Sequence, residues 1–333
     1  MILVTGGTGL VGSHLLYSLL KKGFRVRAIH RKSSDLSAVE KVFGYYGENS
    51  GQLFRNIEWF EADINDIPAL QLAFQGITEV YHAAACISFN PNRFQKLKKV
   101  NIEGTANAIN LAIANGVNKF CHVSSIATLG DSRNGELISE ENHWNPEAEN
   151  SVYAITKYGA EMEVWRGSQE GLKVVIVNPA IILGEGHWNA SSGTIVKLAA
   201  KGNPYYTPGG NAVVDIRDVI EAMIGLMQSD IHNEQFILAA ENMSYKELTT
   251  KLAAALKVKA PKKELAFWKM NLARIADWLQ SKLFGTRRRL LKATVRSLYR
   301  TSYYDGSKIE RVIDFTYTPV EVILKRVCEN YDT

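Results

Sequence analysis

Apolar positions in the first 180 residues change period repeatedly. Ile2–Thr5 is a short apolar run, and Leu10–Lys21 carries apolar residues at helical spacing. Residues 25–30, "RVRAIH", alternate as a strand does, 57–62 form another strand, and Pro68 opens a helix. Glu79–His82 is again strand-like, 94–115 is a long helical stretch ending at Gly116, and 119–125 is a strand. A helix over 151–170 and a strand over 173–178 follow. Repeated β-α-β units predict an α/β chain: a Rossmann-type, doubly wound parallel sheet with helices on both faces. On such a sheet ligands sit at the carboxyl ends of the strands. After residue 178 the pattern becomes mixed, and Gly and Pro between 184 and 210 mark irregular loops. We therefore expect a dinucleotide-binding unit at 1–180 and a smaller, mixed substrate-binding region at 181–333, with segments near 211–240 returning to the sheet. Residues 265–298 read as basic amphipathic helices.

The turn between the first strand and helix carries chemistry. "VTGGTGLVG" places Gly6, Gly9 and Gly12 at G-x-x-G-x-x-G spacing. Gly6 permits a tight turn, Gly9 lets backbone approach a pyrophosphate, and Gly12 lets the helix pack on the sheet. The anion then meets the free N–H groups and positive end of the helix. Thr5, Leu10 and Val11 belong to the same cradle. The end of the second strand selects the cofactor. A site for NAD usually has a carboxylate there for the ribose 2′-OH, but the sequence is "HRKS". Arg31 and Lys32 suit a 2′-phosphate, so NADP(H) is expected in preference to NAD(H). Asp63, with Ile64 beside it, falls where an adenine edge is received.

Tyr-x-x-x-Lys, which puts a phenol and an ammonium on one helical face, occurs three times: Tyr17/Lys21, Tyr153/Lys157 and Tyr304/Lys308. The partner of Tyr17 lies near the far end of the first helix, and Tyr304 lies in the turn-like "YYDGSK". Only Tyr153 opens a helix after a strand ending in a polar pair, "HVSS".

The chain resembles the extended short-chain dehydrogenases/reductases. The resemblance rests on "TGGTGLVG", "DIND", "YHAAA", "NIEGT", "VSSIATLG", "YAITK", "NPAIILG" and "VDIRDV", in the family's order over about two thirds of the chain. Within the family it looks most like the dihydroflavonol-reductase-like branch, often described as NAD-dependent epimerase/dehydratase. The resemblance selects Tyr153 as proton donor to a carbonyl, with Lys157 holding the nicotinamide ribose and favouring the phenolate. It selects Ser125, with Ser124 as the alternative, to hold the substrate oxygen, and Asn101 to support a water relay. It adds Ala83, Ala84 and Asn178 to the cofactor contacts, and it implies a homodimer built on helices 94–115 and 151–170.

Three functions compete. The first is an NADP(H)-dependent reductase of a ketone or aldehyde on a small or mid-sized organic substrate. The second is a nucleotide-sugar epimerase with tightly held NAD. It is disfavoured by the missing carboxylate and by "GGNAV" without an Arg before "VDIRDV", although Arg217 remains a partner for a diphosphate. Ile126 and Ala127 stand where related sugar dehydratases carry an acidic pair. The third is a non-catalytic dinucleotide sensor, against which the intact Ser, Tyr and Lys argue. Cys86, Ser88, Phe89, Thr128, Ile181, Trp188, Tyr205 and Tyr206 are expected to roof an apolar substrate pocket.

Composition narrows the rest. Of 333 residues, 46% are hydrophobic and 22% charged, ordinary for a soluble globular chain. No apolar run is long enough for a membrane span, and the best, 174–183, is broken by Asn178 and Pro179. The start shows no leader, so a cytoplasmic protein is expected. Three cysteines without C-x-x-C, and seven His without an H-x-x-x-H pair, predict no disulfide framework and no metal. Between residues 257 and 300 there are thirteen Lys or Arg against Glu264 and Asp277 alone, more than the whole chain's net +5, so the remainder is net acidic. Solvated helix faces, an anionic substrate or weak contact with acidic lipid would each account for this segment. No nucleic-acid motif accompanies it.

Overall fold

The computed structural model describes all residues except 48, 49, 133, 134, 190, 191, 286, 287, 289, 332 and 333. Arg287 and Arg289 of the basic segment thus lie outside the described residues.

The first six strands are β1 (Ile2–Thr5), β2 (Val26–His30), β3 (Glu58–Glu61), β4 (Glu79–His82), β5 (Lys119–Val123) and β6 (Lys173–Pro179). The later ones are β7 (Ile181–Leu183), β8 (Tyr205–Tyr206), β9 (Gly210–Asp215), β10 (Glu234–Leu238), β11 (Glu241–Ser244) and β12 (Lys263–Glu264). Seven form one sheet in the order β10-β6-β5-β4-β1-β2-β3. Every neighbouring pair in it is parallel. Parallel strands need crossover helices, and these cover both faces. On one face, helices Leu10–Lys21, Leu36–Gly44 and Ile216–Gln228 bury Leu15, Leu16, Phe43, Val219 and Met223 against Val4, Val175 and Val177. On the other, Ile67–Ala73, Gly104–Ala114 and Val152–Gln169 bury Leu70, Ile109 and Val164 against Leu3, Val80, Phe120 and Ile176. The strand order reverses between β1 and β4, so a crevice opens at their carboxyl ends.

A smaller lobe joins β7, β9 and β11 in a mixed sheet. Its core of Val213, Met243, Leu252, Ile323, Leu324 and Val327 is closed by helices Tyr245–Ala255 and Val320–Glu329. Ser244 and Glu247 form a capping box that starts the first of these helices. β10 then returns to the main sheet beside β6. The lobes are tied by buried charge. Glu185 accepts from Arg326 Nε at 2.6 Å and from Arg217 Nη2 at 3.0 Å, and Arg326 Nη1 donates to Asp215 at 2.8 Å.

Several expected elements differ in detail. Residues 94–115 are not one α-helix: Phe94–Leu97 and Gly104–Ala114 flank a π-helical turn at Lys98–Glu103. The wider turn lets the Asn101 amide reach the Cys86 backbone. The strand expected over 119–125 stops at Val123, because Ser125 caps a 3₁₀ turn, accepting from Ala127 N at 3.2 Å. Helices Leu36–Gly44 and Ser50–Arg55 were not anticipated; Asp35 starts the first by accepting from Ser37 N and Ala38 N. The basic stretch 265–298 is two helices, Phe267–Phe284 and Lys292–Tyr299.

Candidate active site

The glycine turn is built as a cradle. Gly6 has φ +70°, and a Cβ on it would stand 2.6 Å from the backbone of Ala83 and Ala84. A Cβ on Gly12 would stand 2.2 Å from Gly6 O. Those two glycines are required by the chain itself. Gly9 is different: it is exposed, and its Cβ would meet only Gly6 O, at 3.4 Å. The space left above Gly9, before the free N–H groups of Leu10 and Val11, is what a pyrophosphate needs. Thr5 holds the floor. Its Oγ1 accepts from Ala84 N at 3.3 Å and bonds His82 Nδ1 at 2.8 Å, and Ala83 N donates to Thr5 O.

At the tips of β2 and β3 a cleft is lined by Arg31, Asp63, Asn65, Gln95, Lys96 and Lys99, among others. Arg31 and Lys32 are exposed, and neither forms an ion pair with a described residue. Asp63 accepts from Asn65 N at 2.9 Å in a local turn. Ile64 is buried, and its carbonyl accepts from Asn107 Nδ2. The residues just past β2 are Arg31, Lys32, Ser33 and Ser34, none of them a carboxylate, and Asp63 enters the cleft from beyond β3. Lys96 and Lys99 were missed in the sequence; the density of Lys in "QKLKK" was the available signal.

Past β5 the reactive groups converge. Ser151 caps the next helix, accepting from Ala154 N at 3.1 Å, and this fixes Tyr153 in its first turn. The Ser125 side chain lies close enough to the Tyr153 hydroxyl to act on its titration, and Phe89 sits edge-on to the Tyr153 ring at 5.6 Å. Burial raises the Tyr153 pKa, and the neighbouring Ser125 side chain only partly opposes this. The expected lowering by Lys157 is not supplied by the chain alone. Lys157 is 2% exposed; its Nζ donates to Val123 O at 2.8 Å and lies 3.4 Å from His122 Nε2. Burial pulls its pKa down to about 8, with the Glu161 carboxylate acting the other way.

Ser124 turns away from this group. Its Oγ donates to Glu161 Oε2 at 2.6 Å, which also accepts from Thr128 Oγ1 at 2.8 Å and Asn178 Nδ2 at 3.1 Å. Asn178 also donates to Ser125 O at 3.2 Å, so its side chain braces the Ser125 turn from behind. Asn101 is 1% exposed. Its amide oxygen accepts from Cys86 N at 2.7 Å, and its nitrogen donates to Cys86 O at 3.0 Å and Thr156 Oγ1 at 3.1 Å. It thereby clamps the loop after β4 to the Tyr153 helix. Thr128 belongs to the Glu161 cluster, and Trp188 packs on Tyr331 in the small lobe, so neither is placed as a roof over Tyr153. Arg217 is held by Glu185 and lies over the Tyr46 ring at 4.7 Å.

Three groups escaped the sequence reading. Glu161 lies one turn beyond Lys157 on the same face, a spacing that was there to be read. His82 and His122 are adjacent across β4 and β5, with near-parallel rings 5.3 Å apart. Burial first, then Lys157, holds His82 neutral with a pKa near 3, and His122 is also pushed far down. Neutral rings there add no charge against Lys157.

The arrangement can bind a dinucleotide along β1 and present a neutral phenol and a serine hydroxyl at one point. A family model described as the NAD dependent epimerase/dehydratase family matches residues 2–239. A Synechocystis protein provisionally named dihydroflavonol 4-reductase is 28% identical over 316 residues, covering 92% of this chain and 87% of the relative. Sterol demethylase protein B of Methylococcus capsulatus is 30% identical over 244 residues, covering 72% of this chain and 70% of the relative. The crystal structure of gox2253 superposes with a TM-score of 0.81 at 26% identity, over 99% of this chain and 97% of that one. Cinnamoyl-CoA reductases and UDP-glucose 4-epimerases also match. A family match of that extent places the chain in the NAD-dependent epimerase/dehydratase family, the extended branch of the short-chain dehydrogenases/reductases, whose members are NAD(P)-dependent oxidoreductases, epimerases and dehydratases.

Proposed function

We propose that this protein is an NADP(H)-dependent reductase of a ketone or aldehyde on an apolar organic substrate. The observation that carries the reading is the closeness of the Ser125 and Tyr153 side chains just past the carboxyl end of β5, with burial raising the pKa of the phenol. A neutral phenol is the form that donates a proton. Gly6, Gly9 and Gly12 with the N–H groups of Leu10 and Val11 would hold the pyrophosphate; Arg31 and Lys32 would hold a 2′-phosphate; Asp63 would face the adenine. When bound, the reduced nicotinamide supplies a hydride to the carbonyl carbon. Ser125 Oγ donates to the carbonyl oxygen and stabilises the charge that develops there. Tyr153 transfers its phenolic proton to that oxygen, and Lys157, whose ammonium is directed to Val123 O, would hold the nicotinamide ribose. Asn101 keeps the Cys86 loop and the Tyr153 helix in register while this happens.

Phe89 on Tyr153 and the exposed Ile87 beside it favour an apolar substrate. The epimerase reading finds less support: Arg217, one of the cations the sequence offers a diphosphate, is already paired with Glu185. Ile155 and Met162, exposed two turns apart on one face of the Tyr153 helix, are the apolar residues a homodimer through that helix would cover.

Titration of the purified protein with NADPH and NADH, followed by Trp fluorescence, tests the reading. NADPH should bind at least tenfold tighter, and Arg31→Ala should erase most of that difference while leaving NADH binding unchanged. Tyr153→Phe should retain binding and lose about 10²–10⁴ in turnover of any carbonyl substrate found. Tightly retained NAD released on denaturation would instead favour the epimerase.

A further inference from the structure

The helix Phe267–Phe284 serves none of the chemistry above, and its packing is unusual. Of its eighteen residues only Met270 is buried. Trp268, Leu272, Ile275, Leu279 and Leu283 recur at spacings of four, three, four and four, which forms one stripe along a 3.6-residue helix. All five are exposed, Trp268 at 60% and Leu283 at 73%, and Trp278 and Phe284 extend the surface. Single exposed apolar residues are ordinary, but a continuous stripe of this length marks a contact surface.

We propose that this stripe docks the protein on the surface of a bilayer containing acidic phospholipid, with the helix lying in the plane of the headgroups. Charge decides between lipid and other occupants. Lys257, Lys259, Lys262, Lys263, Lys269 and Lys282 form no ion pair with any described residue. Lys269 lies over the Trp268 ring and Lys282 over the Trp278 ring, each at 5.4 Å. An indole that is apolar in body and polar at its N–H, with an ammonium beside it, suits the boundary between acyl chains and anionic headgroups. A second copy of this chain would bring a like-charged surface to the same place, which repulsion opposes. The helix, about 27 Å long, is not long and apolar enough to cross a membrane.

The docked surface adjoins the segment between Ser125 and Tyr153. β12, just before the helix, pairs with β8 in the small lobe, and Phe267 packs edge-on against Tyr299. The neighbouring helix Lys292–Tyr299 reaches back through Lys292 and Arg296 to Glu149, and Arg300 pairs with Asp131. Glu149 and Asp131 belong to the segment between Ser125 and Tyr153. Contact with lipid would thus be made beside the loop that leads into the site.

Vesicle co-flotation of the full chain tests this. At about 0.1 M salt the protein should float with phosphatidylcholine vesicles containing roughly a third phosphatidylglycerol, and at least tenfold less with pure phosphatidylcholine. Raising the salt to about 0.5 M should weaken binding severalfold. A triple variant Trp268→Ser, Trp278→Ser, Leu283→Ser should bind the acidic vesicles at least tenfold more weakly, with unchanged thermal unfolding and dinucleotide affinity. No flotation with acidic vesicles, or flotation that the triple variant leaves intact, would overturn the proposal. So would size-exclusion behaviour in which the wild type is a dimer and the triple variant a monomer, since a second copy would then cover the stripe.

Discussion

Replacing Glu161 with Ala probes how the turn that carries Ser125 is held. The carboxylate is 3% exposed and accepts from Ser124 at 2.6 Å, Thr128 at 2.8 Å and Asn178 at 3.1 Å. The three donors do not suffer equally when it goes. Thr128 Oγ1 has a second acceptor in Ser125 O at 2.9 Å, and Asn178 Nδ2 keeps Thr128 Oγ1 at 3.0 Å. Ser124 Oγ has no other described acceptor, and Ser124 is 5% exposed. A hydrogen bond to a charged group contributes about 1.5–3 kcal/mol, and a buried polar group left without a partner costs about 1–3 kcal/mol. The cavity adds to the loss, and relief from burying a carboxylate subtracts from it. We expect Glu161→Ala to lower stability by about 2–4 kcal/mol. In a Ser124→Ala background there is no hydroxyl to strand, so the same change should cost about 1.5 kcal/mol less. Urea unfolding of the four proteins gives the coupling directly. If the two substitutions add to within about 0.5 kcal/mol, the buried hydrogen bond is not what holds the turn, and the reasoning fails.

Other outcomes follow from the same geometry. Gly12→Ala forces a Cβ to within 2.2 Å of Gly6 O and should destabilise the fold along with losing dinucleotide binding. Gly9→Ala, with its nearest contact at 3.4 Å, should leave the melting temperature within a few degrees of wild type yet weaken NADPH binding at least tenfold. The pH dependence of stability should carry the mark of Lys157. Its folded pKa of about 8 lies below its ordinary value, so the folded state binds fewer protons between the two. The penalty is full below about pH 8 and fades as pH rises towards about 10.4. Lys157→Met removes it, so the stability difference between variant and wild type should shrink by up to about 3 kcal/mol over that range, measured by urea unfolding. A flat difference would place the ammonium in a better solvated setting than the structure gives it.

Periodicity and punctuation made the nucleotide-binding half legible. The first strand, the first helix and β4 have the bounds read from the sequence, because apolar runs set off by glycine turns such as Gly6–Gly7, Gly23 and Gly76 leave few alternatives. Helices Leu36–Gly44 and Ser50–Arg55 were overlooked because their segment mixes polar and apolar residues, and tertiary contact with Tyr17 and Trp59 decides its conformation. The π-helical turn at Asn101 was invisible for a related reason: one side chain bonding to a distant backbone shifts the local winding. At the site, order and neighbourhood pointed to Tyr153 and Lys157, and the family resemblance chose Ser125 over Ser124. Glu161, His82 and His122 were not, because their importance lies in partners on other strands. The basic helix was recognised by charge, but only the structure shows that its apolar stripe is exposed.

The position of β10 bears on how the chain is made. β6 is buried from Val174 to Pro179 and apolar over Val174–Val177, and β10 covers its outer edge. A ribosome adding about 5–20 residues per second delivers β10 only after the strands and helix of the small lobe have begun to emerge. For some seconds the nascent sheet ends in an unprotected apolar strand, ready to pair with a neighbouring chain. Cutting the gene after residue 180 would make that transient state permanent. The N-terminal half expressed alone should therefore collect in inclusion bodies, and a fragment carried through residue 239 should recover part of its solubility.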